Sequence, residues 1–145
     1  MGDSYILVVE DRGEDVELTL RAFQKAGVSS RVQVLHDGLE ALEFLQGVHP
    51  FSGEVHDAAP ALMLVDVKLP RMDGIQLLQR VRKLEKMRYV PIIMVTSSED
   101  SLDLRASYDN GANSFIRKPP VAADFTLVVS RMCEYWLGVN EQPGA

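Results

Sequence analysis

The chain has 145 residues, of which 46% are hydrophobic and 25% charged, an ordinary globular composition long enough to bury one core. Apolar runs such as residues 61–65 are far too short to cross a membrane, and residues 1–4 show neither the basic nor the apolar part of an export signal, so a cytoplasmic protein is expected. The net charge of −6 argues against a dedicated nucleic-acid binder, the single Cys133 excludes an internal disulfide, and His36, His49 and His56 lack metal-ligand spacing.

Residues 5–9 (Tyr-Ile-Leu-Val-Val) are apolar on both faces, as in a strand buried within a parallel sheet. From 14 to 26, Val16, Thr19, Leu20, Phe23 and Ala26 share one helical face, and Gly27 supplies the stop. Residues 31–35 alternate and predict a second strand, followed by a helix over 38–45 with Ala41, Leu42 and Leu45 inward. The stretch 47–60 holds Gly, Pro, Ser and two His without a period and reads as a long exposed connection. A third strand is predicted over 61–65, a helix over 74–83 with Gly74, Leu77, Leu78 and Val81 on one face, and a fourth strand over 92–95 after Pro91. Ser97-Ser98-Glu99-Asp100 starts a helix that ends near Asn110-Gly111. Residues 113–117 predict a fifth strand and 121–136 a last helix, with Phe125, Val128, Val129, Met132 and Trp136 on one face. Cys133 falls in that apolar pattern and reads as a small buried hydrophobe, and the tail beyond Leu137 is expected to fray.

Strands alternating with helices predict an α/β fold: a single doubly wound, five-stranded parallel sheet of order 2-1-3-4-5, with one domain over 1–145 and its core over about 5–137. In such sheets, sites form outside the carboxyl ends of the strands. The first strand ends in Glu10-Asp11, the third in Asp66, the fourth in Thr96, and the fifth in Lys118 followed by Pro119. The first and third strands are neighbours in that order, so Glu10, Asp11 and Asp66 converge. Close carboxylates repel one another unless a cation neutralises them, and an all-oxygen set that keeps some water suits Mg²⁺. Lys118 adds a fixed positive charge and Thr96 a hydroxyl, which completes a phosphoryl-transfer site with an aspartate as covalent acceptor. Singly, each residue has a blander role as a helix cap or a solvated charge; their joint placement on one rim favours the functional one.

Val8-Val9-Glu10-Asp11, residues 64–74 (Leu-Val-Asp-Val-Lys-Leu-Pro-Arg-Met-Asp-Gly), Val95-Thr96-Ser97 and Phe115-Ile116-Arg117-Lys118-Pro119 together resemble response-regulator receiver domains, over about residues 5–137. The resemblance implies that Asp66 takes a phosphoryl group from a sensor histidine kinase. It implies Mg²⁺ held by Glu10, Asp11, Asp66 and the backbone carbonyl of Lys68. Thr96 would hydrogen-bond the phosphoryl group, Lys118 would form an ion pair with it, Phe115 would act with Thr96 as the switch, and Pro119 would follow a cis peptide bond. Such a protein is a phosphoacceptor rather than a turnover enzyme. The long 47–60 connection, Gly111-Ala112-Asn113 and Tyr135-Trp136-Leu137 further resemble stand-alone regulators of the cyanobacterial phytochrome type. That likeness implies no output domain, a bacteriophytochrome or related kinase as partner, and a homodimer through the fourth helix, fifth strand and fifth helix. Trp136 and Leu137 are expected to extend the apolar stripe beyond the sheet and anchor that dimer. Lys68, where smaller polar residues are common in the family, is expected to shield the phosphoryl group from water.

Three rival readings fit less well. A flavodoxin-type carrier needs a Ser/Thr/Gly-rich loop after the first strand, where Glu10-Asp11-Arg12-Gly13-Glu14 stands. A phosphatase with an aspartyl-phosphate intermediate carries its nucleophile after the first strand with a second Asp two residues on, unlike Asp66-Val67-Lys68. A degenerate receiver lacks the acceptor, an acid or the lysine, all present here.

Overall fold

A computed structural model describes residues 5–47 and 58–143; residues 1–4, the 48–57 part of the long connection with its two histidines, and residues 144–145 lie outside them. Strands β1 (Tyr5–Val9), β2 (Arg31–Leu35), β3 (Leu62–Val65), β4 (Ile92–Thr96) and β5 (Ser114–Arg117) alternate with helices α1 (Gly13–Lys25), α2 (Gly38–Leu45), α3 (Gly74–Val81), α4 (Ser101–Asp109) and α5 (Ala122–Cys133). Every pairing is parallel and the order is β2-β1-β3-β4-β5, as expected.

Successive strand residues face opposite sides of a sheet, so these apolar strands build two cores. Tyr5, Leu7, Val9, Met63, Val65, Ile92 and Met94 share one core with α2 and α3, through Leu42, Leu45, Leu77, Leu78 and Val81. Ile6, Val8, Leu62, Leu64, Ile93 and Val95 share the other with α1 and α5, through Ala22, Phe23, Phe125, Val129, Met132 and Cys133. Cys133 is buried as expected, and burial pushes its thiol up to about 11.

The caps differ between the two sides. Asp37 caps α2, Asp73 caps α3 in a reciprocal box with Gln76, and Asp100 caps α4, whereas α1 and α5 lack a side-chain cap. Each such cap stabilises its helix by about 1 kcal/mol. Gly74 lets α3 start directly against the end of β3, since a Cβ there would overlap the Asp66 carbonyl oxygen. Gly38 has the same relation to the carbonyl of Met72.

Two elements depart from the sequence reading. α3 stops at Val81, and a 3-10 turn over Glu85–Met87 precedes β4. The Arg82 guanidinium ties that turn to the end of α4 by donating to the carbonyls of Met87 (2.7 Å), Val90 (2.9 Å) and Gly111 (3.0 Å). α5 passes into a π-helical segment, Glu134–Val139, and beyond it Gln142 Nε2 donates to the Ala61 carbonyl at 3.1 Å. Trp136 and Leu137 are half-buried against the second core rather than projecting from the molecule.

Candidate functional site

The parallel sheet brings the ends of β1, β3, β4 and β5 to one edge. Residue parity places Glu10 and Asp66 on the side of Val8 and Leu64, where α1 begins, and Asp15 in the first turn of α1 joins them. The Lys118 ammonium, from the segment after β5, sits among all three. It donates to Glu10 Oε1 at 2.5 Å, Asp66 Oδ2 at 2.7 Å and Asp15 Oδ2 at 2.9 Å. The side chains of Lys118, Glu10 and Asp66 are only 9%, 6% and 5% exposed, so these charge-assisted bonds act with little water to screen them.

Three carboxylates against one ammonium leave an excess of negative charge. Burial, with the neighbouring Asp66 charge, raises Glu10 to about 7 even though Lys118 pulls it down. Burial alone would lower Lys118, but hydrogen bonds to Asp66, Glu10 and Asp15 hold it well above the ordinary lysine range. The second oxygen of Asp66, Oδ1, accepts the Lys68 backbone N–H at 3.0 Å, which fixes the carboxylate plane. Thr96 is fully buried, its Oγ1 accepts the Ser98 N–H at 3.2 Å, and its carbonyl accepts the Lys118 N–H at 2.8 Å. Phe115 is half-buried against the first core with the Arg117 guanidinium 5.7 Å from its ring.

The structure therefore brings together Glu10, Asp66 and Lys118, with Thr96 at the adjoining strand end. It does not bring in Asp11, which is exposed; the third carboxylate of the group is Asp15. The Arg12 N–H donates to Glu10 Oε2 at 3.1 Å and α1 starts at Gly13, so the chain turns after Glu10 and presents Asp15 from the first turn of the helix. An acid in the first turn of that helix was legible in the sequence, but reads there as an electrostatic complement to the helix end. The expected cis bond before Pro119 is not found: every peptide bond among the described residues is trans.

One carboxylate oxygen from each of Glu10, Asp15 and Asp66 lies within 4.8 Å of the other two. An all-oxygen set with excess negative charge fits a hard divalent cation. On the opposite lip, Arg71 adopts a left-handed conformation (φ 64°) and forks onto Asp37 at 3.0–3.2 Å, pinning the loop after Asp66 to α2.

The sequence pattern of the response regulator receiver domain matches residues 6–129. The chain belongs to that family. This receiver is 37% identical over 139 residues to the probable methanogenesis regulatory protein FilR2 of Methanothrix harundinacea, covering 96% of this chain and 87% of that protein. It is 29% identical over 141 residues to response regulator Rcp1 of Synechocystis sp., covering 97% and 93%. The solved structure of the phosphorylated cyanobacterial phytochrome response regulator RcpA matches it with a TM-score of 0.90 at 26% identity, over 99% of this chain and all of that one. The Mn²⁺-bound form of Rcp1 matches with a TM-score of 0.87 at 27% identity, over 97% and 99%. The receiver is thus a two-component signalling module similar to phytochrome response regulators, and no helix among its described residues is long and apolar enough to cross a membrane.

Proposed function

We propose that the whole chain acts as one cytoplasmic receiver unit that accepts a phosphoryl group on Asp66 from the phosphohistidine of a sensor histidine kinase. It then passes this state on through protein contacts. The observation that carries the reading is the buried Lys118 ammonium shared by Asp66 and Glu10 at one strand edge. Asp66 is held at both oxygens, so it meets an incoming phosphoryl group in a fixed orientation, and Lys118 offsets the charge of the transferred group. Mg²⁺ would supply the further positive charge that the equatorial oxygens need, with Glu10, Asp66 and the Lys68 carbonyl as ligands and Asp11 as the third carboxylate that the family resemblance implies, its exposed side chain turning in to reach the ion. Asp15 is the second candidate for the third carboxylate, favoured by its position beside Glu10 and Asp66. Calorimetric Mg²⁺ titration of Asp11→Asn beside Asp15→Asn separates the two. Thr96 then turns its hydroxyl to the new oxygens, and Phe115 follows as the switch. The chain is a phosphoacceptor, not a turnover enzyme.

A small phosphodonor with Mg²⁺ is expected to add one phosphoryl group at Asp66, seen by mass, and none to Asp66→Asn. An unmodified wild-type chain rejects the reading. The likeness to RcpA supports a phytochrome-class kinase as the donor, and phosphotransfer profiling against purified kinases tests it. Leu102, Tyr108, Val121 and Leu127 are exposed on or beside α4 and α5 and support a homodimer through the α4–β5–α5 face, to be read by sedimentation with and without the phosphodonor. Nothing in this reading calls for nucleic acid or membrane.

A further inference from the structure

α4 is weakly held by apolar contact. Its buried set is Ser107 alone, and Leu102, in its first turn, is 70% exposed. What ties its start to the rest of the molecule is polar and gathers on Asp103. That side chain, 17% exposed, accepts from Ser98 Oγ at 2.6 Å and pairs with Lys68 Nζ at 3.4 Å. Each partner leads back to the site by one bond. The Ser98 N–H donates to Thr96 Oγ1, and the Lys68 N–H donates to Asp66 Oδ1. Ser98 Oγ also accepts the N–H of Asp100, the residue that caps α4.

We infer that Asp103 is a positioning residue, a clasp that joins the loop after Asp66 and the loop after Thr96 to the first turn of α4, with Lys68 as its exchangeable half. Ser98 is short and held at both its amide and its hydroxyl. Lys68 is the reverse: a point charge on a flexible stem, 68% exposed, two residues from Asp66. A phosphoryl group on Asp66 places a stronger anion beside the same stem, and the Lys68 ammonium transfers from Asp103 to it. Asp103 keeps Ser98 but loses the acceptor loop, and the first turn of α4 is released. The exchange involves ion pairs only and breaks no covalent bond. This second half rests on the proposed phosphorylation of Asp66; the clasp itself does not.

Hydrogen exchange at the amides of Leu102, Asp103 and Leu104 tests both halves. Without phosphodonor, Lys68→Met is expected to speed exchange there about two- to five-fold, the range of an exposed ion pair. Asp103→Asn speeds it further, and Lys68→Arg restores the wild-type rate. Lys68→Met carries the inference because it leaves the sequence of α4 untouched. With phosphodonor and Mg²⁺, the wild type is expected to rise to the Lys68→Met rate while that variant changes little. Wild-type exchange in unmodified Lys68→Met overturns the clasp. Equal acceleration of both proteins by phosphodonor overturns the exchange of Lys68. If mass shows no phosphoryl group on Asp66, the reading of the site fails, and the clasp still stands or falls on the unmodified proteins.

Discussion

α4 and α5 precede and follow the same strand, yet different forces hold them. α5 buries Phe125, Val129, Met132 and Cys133 and has no side-chain cap. α4 buries one serine, is capped by Asp100, and is tied at its start by Asp103, Ser98 and Lys68. Burial of each apolar side chain contributes roughly 1.5–3 kcal/mol whatever the charge nearby. An exposed ion pair contributes about 0–1 kcal/mol and depends on every other charge within reach. The difference assigns roles: the α1–α5 side is scaffold, and the helix whose ties end at Asp66 and Thr96 is the one that chemistry at the site is able to move.

The largest expected effect breaks the scaffold side. Phe125→Ala should cost about 3–5 kcal/mol, read as a fall in the denaturant midpoint. A smaller loss of whole-domain stability there would mean that α5 is held much as α4 is. Next comes the site between them. Lys118→Met leaves three carboxylates without their shared ammonium and should cost about 3 kcal/mol, with loss of phosphoryl transfer to Asp66. Mg²⁺ should restore more stability to this variant than to the wild type, measured by thermal unfolding at increasing Mg²⁺.

Alkali should separate the two sides in turn. Burial raises the Cys133 thiol to about 11 and the Tyr5 hydroxyl to about 12. In both, the folded state keeps a proton that the unfolded chain loses, so their stabilising contribution is full below about pH 9 and is lost as pH rises toward 12. Each group accounts for roughly 2–3 kcal/mol. Cys133→Ala should therefore flatten the stability profile between about pH 9 and 11, measured by urea unfolding at each pH, and leave the later Tyr5 loss in place. The smallest effects belong to α4. Asp100→Ala should cost about 1 kcal/mol through the lost cap. Leu102→Ala should stay within about 0.5 kcal/mol, and a larger loss would show that α4 has an apolar anchorage after all.

The amino-acid sequence by itself determined the strands and the strand-end residues Glu10, Asp66, Thr96 and Lys118, because short continuous apolar runs and the polar residues after them are local properties, and it pointed to the sheet order because strands alternating with helices leave few topologies. The approach of Asp15 to Lys118, the ion pair from Lys68 to Asp103 and the packing of half-buried Trp136 on the second core were decided only in the tertiary structure. Lys118 meets Asp15 across 103 residues of chain, and whether two such side chains touch depends on how α1 and the β5–α5 connection settle on the sheet. Spacing along a sequence carries no such angle. It follows from the packing of the two cores, which leaves one helix free enough to be steered by charge.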